Sequence, residues 1–367
     1  MARATNRFAI AIYAELGAAK GNLAFSPASI SLALNMTRAG ARGETAAHMA
    51  QALRLEDGTT DAAFGSLLAA WNADDKPYEL AVANRLFGEK TMRLEEAFLD
   101  LTGRAYGAPL QPVDFRGAAE QTRETINEWV ADRTEERIVD LLPPGSLDSD
   151  TRLVLTNAVY FKGAWKTAFD EDATYDQPFH APGGDVQTPM MHIEESFAYA
   201  ETDGLKVVSL PYRGEDLSMT LLVPNEVDGL ADLQKKLDAD ALESWLGAAV
   251  KQKVRVALPR FEIDPPQAMK LQPALSALGM ADAFTGDADF SGITQEDRLY
   301  IDEVFHKAFV KVNEEGTEAA AATAVVMTKE SAVIEDTKSV VADRPFIFLI
   351  RDEKSGMILF MGRVERP

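Results

Sequence analysis

The order of patterns along this 367-residue chain restricts its fold more than any other feature. Apolar residues recur at helical spacing in the first part, over residues 8–16 and in the SISLALNMTRAG run that follows Pro27. From Arg152 onward the patterning is that of strands, as in RLVLTNAVYF and LSMTLLVP. Strands and helices do not alternate regularly, as they would in a parallel-sheet protein. The pattern therefore predicts one α+β domain over residues 1–367, built on large antiparallel or mixed sheets.

One helical run in the first part is bounded by its own sequence. Residues 125–139 (TINEWVADRTEERIV) place Trp129, Arg133 and Arg137 at helical offsets. Two leucines and two prolines follow at 141–144, and proline cannot continue a helix. The sequence thus predicts a helix that ends just before position 141.

Charge and composition exclude several classes of partner. The chain carries 58 acidic and 37 basic residues, a formal charge of −21, which repels nucleic acid and anionic membrane surfaces. No cluster of Lys and Arg stands out, so a heparin-type polyanionic activator is not expected. The absence of cysteine excludes disulfides, thiol catalysis and cysteine metal sites. No apolar run approaches the roughly 18 residues of a membrane span, so no membrane partner is expected.

The N-terminal residues leave the cellular compartment open. MARATNRFAIAIYAEL reads as the start of an amphipathic helix, because it lacks a long apolar core followed by a small-residue cleavage site. A signal peptide removed earlier would leave no trace. The expectation is an extracellular or cell-envelope location if a signal was removed, and a cytoplasmic one otherwise.

A search for catalytic motifs indicates that the chain is not an enzyme. It has no G-x-S-x-G elbow, phosphate loop, dinucleotide fingerprint or H-E-x-x-H motif, so neither a metal nor a cofactor is expected. None of its four histidines has a second histidine at metal-ligand spacing: His48, His180, His192 and His306. His306 lies in the strand-like run EVFHKAFVKV and is expected to be buried with a polar partner. A triad dispersed along the sequence is the alternative that motifs alone leave open.

A long connection at 314–344 stands out between two convincing strands. It reads EEGTEAAAATAVVMTKESAVIEDTKSVVADR, and connections of about 30 residues within a compact domain are usually functional or disordered. Its alanine-rich core fits a flexible linker. Its alternation also fits a latent strand, since one face carries no charge, no large polar group and no proline: Thr317, Ala319, Ala321, Thr323, Val325 and Met327. The residue pattern alone supports both interpretations.

Two neighbours of that alternating face matter for the latent-strand interpretation. Glu318 falls on the opposite face, where water could reach it. Gly316 precedes the alternation and can adopt backbone angles that other residues resist, as a hinge requires. If the interpretation holds, the segment could slide into the middle of a sheet with small side chains at its leading end.

The same segment resembles a known protein family. EEGTEAAAATA at 314–324 is similar to the proximal hinge of inhibitory serpins, and the resemblance covers essentially the whole chain. Further motifs follow in family order and spacing: FSPASISLAL, INEWVADRTEERI, TNAVYFKGAWKTAF, LPYRGEDLSMTLLVP, LPRFEI, DFSGI, FHKAFVKVNEEGTEA, RPFIFLIRD and LFMGRV. The resemblance implies the serpin fold, with three β-sheets, eight or nine helices and an exposed reactive-centre loop at about 314–344.

The family resemblance also implies a function. Serpins act as suicide substrates of serine-type, and in some cases cysteine, endopeptidases. The protease cleaves the loop and is held as an acyl-enzyme while the loop inserts as a new strand of the main sheet. A monomer that needs no cofactor is implied. The alternative is a non-inhibitory serpin that acts as a carrier or chaperone, although such relatives tend to have bulky or charged hinges.

The resemblance assigns the cleavage position by its spacing from Gly316. The reactive bond is placed at Glu330–Ser331, which favours a glutamate-cleaving serine endopeptidase with a basic or polar primary pocket. Cleavage after Lys329 would suit a trypsin-like enzyme. Cleavage after Met327 or Thr328 would suit an elastase- or subtilisin-like one.

Further positions are assigned by the same resemblance. The hinge is placed at Glu314, Glu315, Gly316, Thr317, Glu318, Ala319, Ala320, Ala321, Ala322 and Thr323. Ser26, Ser29, Asn157 and His306 match the family's shutter, a polar network beneath the main sheet that must open to admit the loop. Trp165 is placed near the point where the loop inserts.

Overall fold

The computed structural model describes residues 1–56, 61–71, 76–107, 110–296, 298–318 and 337–367. Helices dominate the first third of these residues, as the sequence predicts. The α-helices of the described residues are α1 (Ala2–Leu16), α2 (Pro27–Arg38), α3 (Gly43–Ala52), α4 (Asp61–Trp71), α5 (Glu96–Tyr106), α6 (Phe115–Arg133), α7 (Leu230–Lys236), α8 (Ala239–Gly247) and α9 (Gln272–Leu275). None of these helices is both long enough and apolar enough to cross a bilayer.

The strands are concentrated after residue 150, with three in the first part of the chain. Their bounds are β1 (Leu23–Phe25), β2 (Tyr78–Glu89), β3 (Gln111–Val113), β4 (Leu153–Ala164), β5 (Tyr175–Ala181), β6 (Gly184–Thr202), β7 (Leu205–Pro211), β8 (Leu217–Pro224), β9 (Val250–Pro259), β10 (Phe261–Ile263), β11 (Met269–Lys270), β12 (Phe305–Val312), β13 (Gly316–Thr317), β14 (Lys338–Val341), β15 (Phe346–Asp352) and β16 (Ile358–Val364). This distribution confirms the predicted α+β class.

The strands form two hydrogen-bonded networks. The seven-stranded sheet has the order β10-β12-β13-β4-β2-β3, with β11 on β12. The nine-stranded network has the order β1-β16-β15-β8-β7-β6-β9-β14, with β5 on β6. Its strand β6 pairs with β5 and β9 along its first part and with β7 along its last residues, 198–202. The three sheets expected from the resemblance thus appear as two networks, because β6 belongs to two of them.

Helix α2 begins where the sequence specifies a helix start. Ser26 has extended backbone angles and its hydroxyl accepts a hydrogen bond from the Ser29 amide, while Pro27 occupies the first helical turn. All but the last residue of the helix is buried. A helix that is buried on every side lies within the core, so α2 holds its N-terminal polar groups in the interior.

Helix α6 covers one face of the seven-stranded sheet. A cluster of buried apolar side chains joins it and the turn after it to strands β2, β4 and β12: Phe87, Phe115, Ile126, Val130, Ile138, Leu141, Leu142, Leu147, Val154, Ala158 and Phe305. At about 25 cal/mol per Å² of apolar surface, such a cluster is the main force that holds the helix on the sheet. Any rearrangement of β4 against β12 therefore disturbs the apolar surface on which α6 packs.

Helix α6 ends earlier than its sequence predicts. The helical run was expected to continue to position 139, but the helix ends at Arg133. Glu135 and Glu136 have positive φ angles of 48° and 58°, and the Glu136 amide donates to the Ala131 carbonyl. Such left-handed residues close a helix C-terminus. As a result Arg137 leaves the helix and is free to reach the sheet below.

Candidate functional site

The hinge segment, defined here as residues 314–318, already occupies a position within the seven-stranded sheet. β13 pairs with β12 on one side, where Thr317 faces Val312, and with β4 on the other, where Thr317 faces Gly163. Further along, β12 and β4 pair directly in parallel register over Phe305–Phe309 and Thr156–Tyr160. The two strands therefore separate at one end, and the hinge segment fills the gap.

Gly316 lies where no larger residue fits. A Cβ atom built on it would lie 2.0 Å from the Gly163 carbonyl oxygen and 2.8 Å from the Ala164 Cα. Both contacts are with backbone atoms, so no side-chain rotation could relieve them. The role of this glycine is thus close approach of two backbones, in addition to the conformational freedom that the sequence suggested.

We expect Gly316→Ala to displace the hinge segment from the sheet. The overpacking should destabilise the native protein by about 1–3 kcal/mol and lower its urea unfolding midpoint. Tryptophan fluorescence checks this, because the Trp165 amide donates to the carbonyl of Glu315, next to the glycine. Gly286→Ala is the matched control, since a Cβ at that exposed position meets nothing within 4 Å. Equal midpoints for the two variants would contradict the predicted clash.

Thr317 is fully buried and hydrogen-bonded to an aromatic cluster. Its hydroxyl lies 2.6 Å from the Tyr212 hydroxyl, and its exposed fraction is 0%. Burial raises the pKa of Tyr212, so its phenol stays protonated at neutral pH. The Tyr212 ring stacks on Trp165 at a centroid distance of 4.7 Å. Trp165 in turn donates from its indole nitrogen to the Asn313 carbonyl at 3.0 Å. Trp165, which the resemblance places near the point of loop insertion, thus contacts the residues that begin the hinge segment.

Glu314 anchors the start of the hinge segment. Its buried carboxylate accepts hydrogen bonds from Arg260 Nε at 2.7 and 2.8 Å and from the Thr174 hydroxyl at 2.6 Å. Burial alone would raise the pKa of Glu314, but the hydrogen bonds from Arg260 and Thr174 outweigh it and hold the pKa below its usual range. The carboxylate therefore stays ionised, and its hydrogen bonds fix the first residue of the hinge segment.

Glu318 differs from the sequence-based expectation. Its side chain was expected to face water, but it is only 8% exposed and forms an ion pair with Arg137 at 2.5 Å. The Glu318 backbone has φ 48°, which ends the strand and turns its carboxylate under the segment after α6. Its second oxygen, Oε2, is buried without a hydrogen bond, and burial raises the pKa of Glu318. The ion pair forms because α6 ends early and leaves Arg137 outside the helix. The sequence did not reveal this early end.

A polar network lies beneath the sheet where β12 and β4 pair directly. His306 faces Asn157 across the two strands, and its Nδ1–H donates to the Asn157 side-chain oxygen. Its Nε2 accepts from the Ser26 amide at 3.0 Å. The Asn157 amide donates to the Ser29 hydroxyl at 3.0 Å. The four residues that the resemblance assigns to the shutter, Ser26, Ser29, Asn157 and His306, thus form one buried network.

Burial also fixes the charge of His306. Removal from water lowers the pKa of His306 to about 3, although its contact with Asn157 opposes the shift. The imidazole is therefore neutral at physiological pH. The two hydrogen bonds also select one tautomer, with the proton on Nδ1.

Asn84 is a member of this network that the sequence analysis missed. It faces Asn157 across β2 and β4, and its side-chain oxygen accepts from the Asn157 amide at 3.0 Å and the Ser29 hydroxyl at 3.2 Å. An asparagine within the largely apolar strand-like run LAVANRLF was the available signal. A half-buried amide of that kind is stabilised by hydrogen-bond partners, which here come from the adjacent strand and from α2.

The remaining predicted site residues lie outside the described part of the chain. They are the rest of the hinge (Ala319, Ala320, Ala321, Ala322 and Thr323), the predicted reactive bond (Glu330 and Ser331) and the alternative cleavage positions (Met327, Thr328 and Lys329). Their assignments stay predictions.

Comparison with known proteins decides the family. A protein-family model described as "Serpin (serine protease inhibitor)" matches residues 3–367. The chain belongs to the serpin family. The recognition made from the sequence motifs is thereby confirmed, and the alternating segment at 314–344 lies in the part of the chain that the serpin model covers.

Named serpin relatives cover the whole chain. Leukocyte elastase inhibitor of Bos taurus is 42% identical over 378 residues, which is 100% of this chain and 99% of the relative. Serpin B8 of Homo sapiens is 42% identical over 375 residues with the same coverage. Solved structures agree: uncleaved ovalbumin has a TM-score of 0.90 at 29% identity, covering 100% of this chain and 99% of that one. Serpin48 of Tenebrio molitor, described as highly specific, has a TM-score of 0.88 at 32% identity, covering 99% and 97%. The predicted serpin fold is confirmed.

Proposed function

We propose that this serpin inhibits a serine-type endopeptidase as a suicide substrate. The observation that carries the proposal is the hinge segment seated between β4 and β12, because it already supplies the first residues of a new strand. Once the loop is cleaved, this strand could extend past the turn that now ends it at Glu318. The small, proline-free residues that follow Glu318 offer little steric resistance to such a strand. The loop is thus a substrate whose cleavage releases its first half to enter the sheet.

The chemistry of the proposed reaction belongs to the protease. The protease serine attacks the carbonyl carbon of the cleaved loop residue, an ester bond forms and the peptide C–N bond breaks. The departing amine takes up the proton and becomes a new chain end. Insertion of the freed loop half then carries the acylated protease away from its substrate position and distorts its active site before water can cleave the ester.

The reactive bond is proposed at Glu330–Ser331 with a glutamate-cleaving endopeptidase as target. A basic primary pocket would pair with the Glu330 carboxylate. The printed name of the bovine relative, leukocyte elastase inhibitor, keeps an elastase-like target open, with cleavage after Met327 or Thr328. Cleavage after Lys329 by a trypsin-like enzyme is the third candidate.

The test is a protease panel with glutamate-cleaving, trypsin-like and elastase-like members. We expect one class to form a covalent complex that survives boiling in SDS. Mass spectrometry of the released C-terminal fragment then identifies the bond, and a fragment beginning at Ser331 supports the proposed position. A protease inactivated at its serine beforehand is the control and should give no complex. Simple turnover of the protein by every protease in the panel would refute the inhibitor assignment.

We also expect cleavage of the loop to raise the melting temperature strongly. The uncleaved fold is held kinetically, since one more central strand could still be added to the sheet. Scanning calorimetry before and after loop cleavage by a non-target protease measures the change. An unchanged melting temperature would instead support the alternative function, a non-inhibitory carrier or chaperone.

A further inference from the structure

Helix α6 consists of two parts that are separated by a break at Ala118. This residue has φ −152° and ψ 47°, which are not helical angles, so the first turn (residues 115–117) is not continuous with the body (residues 119–133). The sequence across the break is Gly-Ala-Ala, and small residues near the end of an element can absorb a change of backbone angles. The body could therefore change its direction while the first turn stays in place.

Directional hydrogen bonds hold the first turn on the sheet. The buried carboxylate of Glu89, the last residue of β2, accepts from the backbone amides of Phe115 at 2.9 Å and Arg116 at 3.1 Å. Its other oxygen accepts from the amide and the hydroxyl of Thr91 at 3.1 and 2.8 Å. Burial alone would raise the pKa of Glu89, but these hydrogen bonds outweigh it and hold the pKa below its usual range. The ionised carboxylate thus fixes the positive end of the helix dipole.

The body of α6 and the chain that follows it form one unit. The Asn127 side chain donates to the Leu142 carbonyl at 2.9 Å and accepts from the Leu142 amide at 2.8 Å. Arg123 donates to the same carbonyl at 2.9 Å. The chain after the helix is therefore tied back to the helix body, and residues 119–142, called the lid below, can move together.

Apolar contacts dominate between the lid and the sheet. Ile126 and Val130 of the lid belong to the same buried cluster as Ala158 of β4 and Phe305 of β12. Such contacts are non-directional, so they can be broken and formed again on a rearranged surface. The two strands that an entering strand must separate thus both lie beneath the lid.

The two ends of the lid differ in their distance from the hinge segment. Strands β2 and β4 are antiparallel, so Glu89 at the end of β2 lies beside the start of β4, whereas Thr317 faces Gly163 near the end of β4. Glu135, just after α6, lies 3.5 Å from Lys162 at that same end of β4. A strand that grows from the hinge segment therefore meets the end of the lid near Glu135 first and the fixed first turn last.

We propose that the lid opens from the end near Glu135 by turning about Ala118, while Glu89 holds the first turn on the sheet. The inserting strand raises this free end, passes beneath the body, and the body then returns to the widened sheet. A helix that left the sheet at both ends would also have to expose the buried carboxylate of Glu89 to the loss of four hydrogen bonds, which opening from one end avoids. This inference rests on the proposed function, because loop insertion is the event that opens the lid.

Two reversible cross-links test which end of the lid opens. The chain has no cysteine, so only engineered thiols react with a bis-maleimide whose linker contains a reducible disulfide. Glu135→Cys with Lys162→Cys ties the free end of the lid to β4. Lys90→Cys with Asp114→Cys ties the start of α6 to the end of β2. Both pairs replace partly exposed ion pairs, with charged atoms 3.5 and 2.8 Å apart.

Each double variant is compared with itself before cross-linking and after reduction. The quantity measured is the number of serpin molecules consumed per trapped protease. We expect the free-end cross-link to raise this number severalfold, because cleaved protein accumulates without insertion, and reduction should reverse the effect. The cross-link at the start of α6 should leave the number unchanged. Loss of trapping with both cross-links would show that the first turn also leaves the sheet, and undisturbed trapping with the free-end cross-link would show that the lid does not open there.

Amide hydrogen exchange tests the break at Ala118 without any protease. In Glu89→Gln we expect exchange at Phe115 and Arg116 to accelerate about tenfold or more, because both amides lose a charged acceptor, while exchange of residues 119–133 changes little. Glu124→Gln, at an exposed position of the body, is the control and should change neither. Equal acceleration throughout α6 would contradict the proposal, because the first turn and the body would then open as one unit.

The two measurements also separate this inference from the proposed function. If the unmodified protein traps no protease in the panel, the proposed function fails, and the exchange result still decides whether the first turn and the body are separate units. If the protein traps protease but the two cross-links act alike, the proposed function stands and the opening about Ala118 is wrong. The cross-linking result does not depend on the stability of Glu89→Gln, since that residue is unchanged in both double variants.

Discussion

Thr317→Arg is expected to abolish protease trapping while leaving loop cleavage intact. Thr317 is fully buried between Val312 and Gly163, and its hydroxyl is committed to Tyr212. A guanidinium at this position would be a buried charge without a partner, which costs several kcal/mol. The hinge segment would therefore remain outside the sheet, and the rest of the loop could not follow it. Hydrolysis of the ester would then win over insertion.

The measurement combines a denaturing gel with the stoichiometry of inhibition. We expect the SDS-stable complex to disappear and the cleaved protein to accumulate in its place. Thr285→Arg is the matched control, because it introduces the same side chain at an exposed turn, and it should trap normally. Thr317→Ser keeps the hydroxyl and should also trap. Undiminished trapping by Thr317→Arg would show that Thr317 does not lie on the inserting face.

The sequence predicts which hinge residues face the interior. It does not predict how far the hinge segment enters the sheet. Alternation assigns Thr317 to the small, uncharged face, and the structure places that residue in the interior. Whether the first hinge residues lie inside or outside the sheet depends on how far β4 and β12 separate. That separation depends on contacts such as those of Trp165 with Asn313 and Glu315, which join residues about 150 positions apart.

Long-range packing also explains the missed residues. The sequence alone gave no reason to bury Glu318, and it did not show which partners Asn84 would find. Asn84 is hydrogen-bonded to residues 55 and 73 positions away. One carboxylate oxygen of Glu318 pairs with Arg137, which is possible because α6 ends at Arg133. A helix that continued to position 139 would have kept Arg137 on its surface. The left-handed residues that end α6 thus determine which side chain contacts Glu318 at the hinge.

Hinge segment and polar network lie along the same pair of strands. At one end β13 separates β4 from β12, and a few residues further the His306–Asn157 contact joins them. In the proposed mechanism, a strand that enters from the hinge must break this contact to advance. The polar network therefore opposes insertion in the uncleaved protein, and a change that weakens it should affect both stability and the tendency to insert.

Acidification is expected to destabilise the native fold through His306. Its pKa is about 3 in the folded protein, against an ordinary value near 6.5. Between these values the unfolded chain binds a proton that the native protein does not. Above pH 6.5 the titration of His306 therefore does not change the free energy of unfolding. Below pH 6.5 the free energy of unfolding falls by roughly 1.4 kcal/mol per pH unit. Protonation would also place a second N–H donor, on Nε2, against the Ser26 amide.

The slope attributable to His306 is measured by comparison with His306→Gln, because other groups titrate in the same range. Burial raises the pKa of both Glu318 and Glu79, which adds stability as the pH falls and so opposes the histidine. Urea unfolding midpoints at pH 7.5, 6 and 5 should fall more steeply with acid in the unmodified protein than in His306→Gln. At pH 7.5 His306→Gln should have a lower urea unfolding midpoint than the unmodified protein, because the hydrogen bonds to Ser26 and Asn157 are lost or altered. His48→Gln, in a half-exposed position, should keep the steep dependence. Parallel pH profiles for His306→Gln and the unmodified protein would show that His306 does not cause the acid sensitivity. The imidazole would then bind protons equally in the folded and unfolded states.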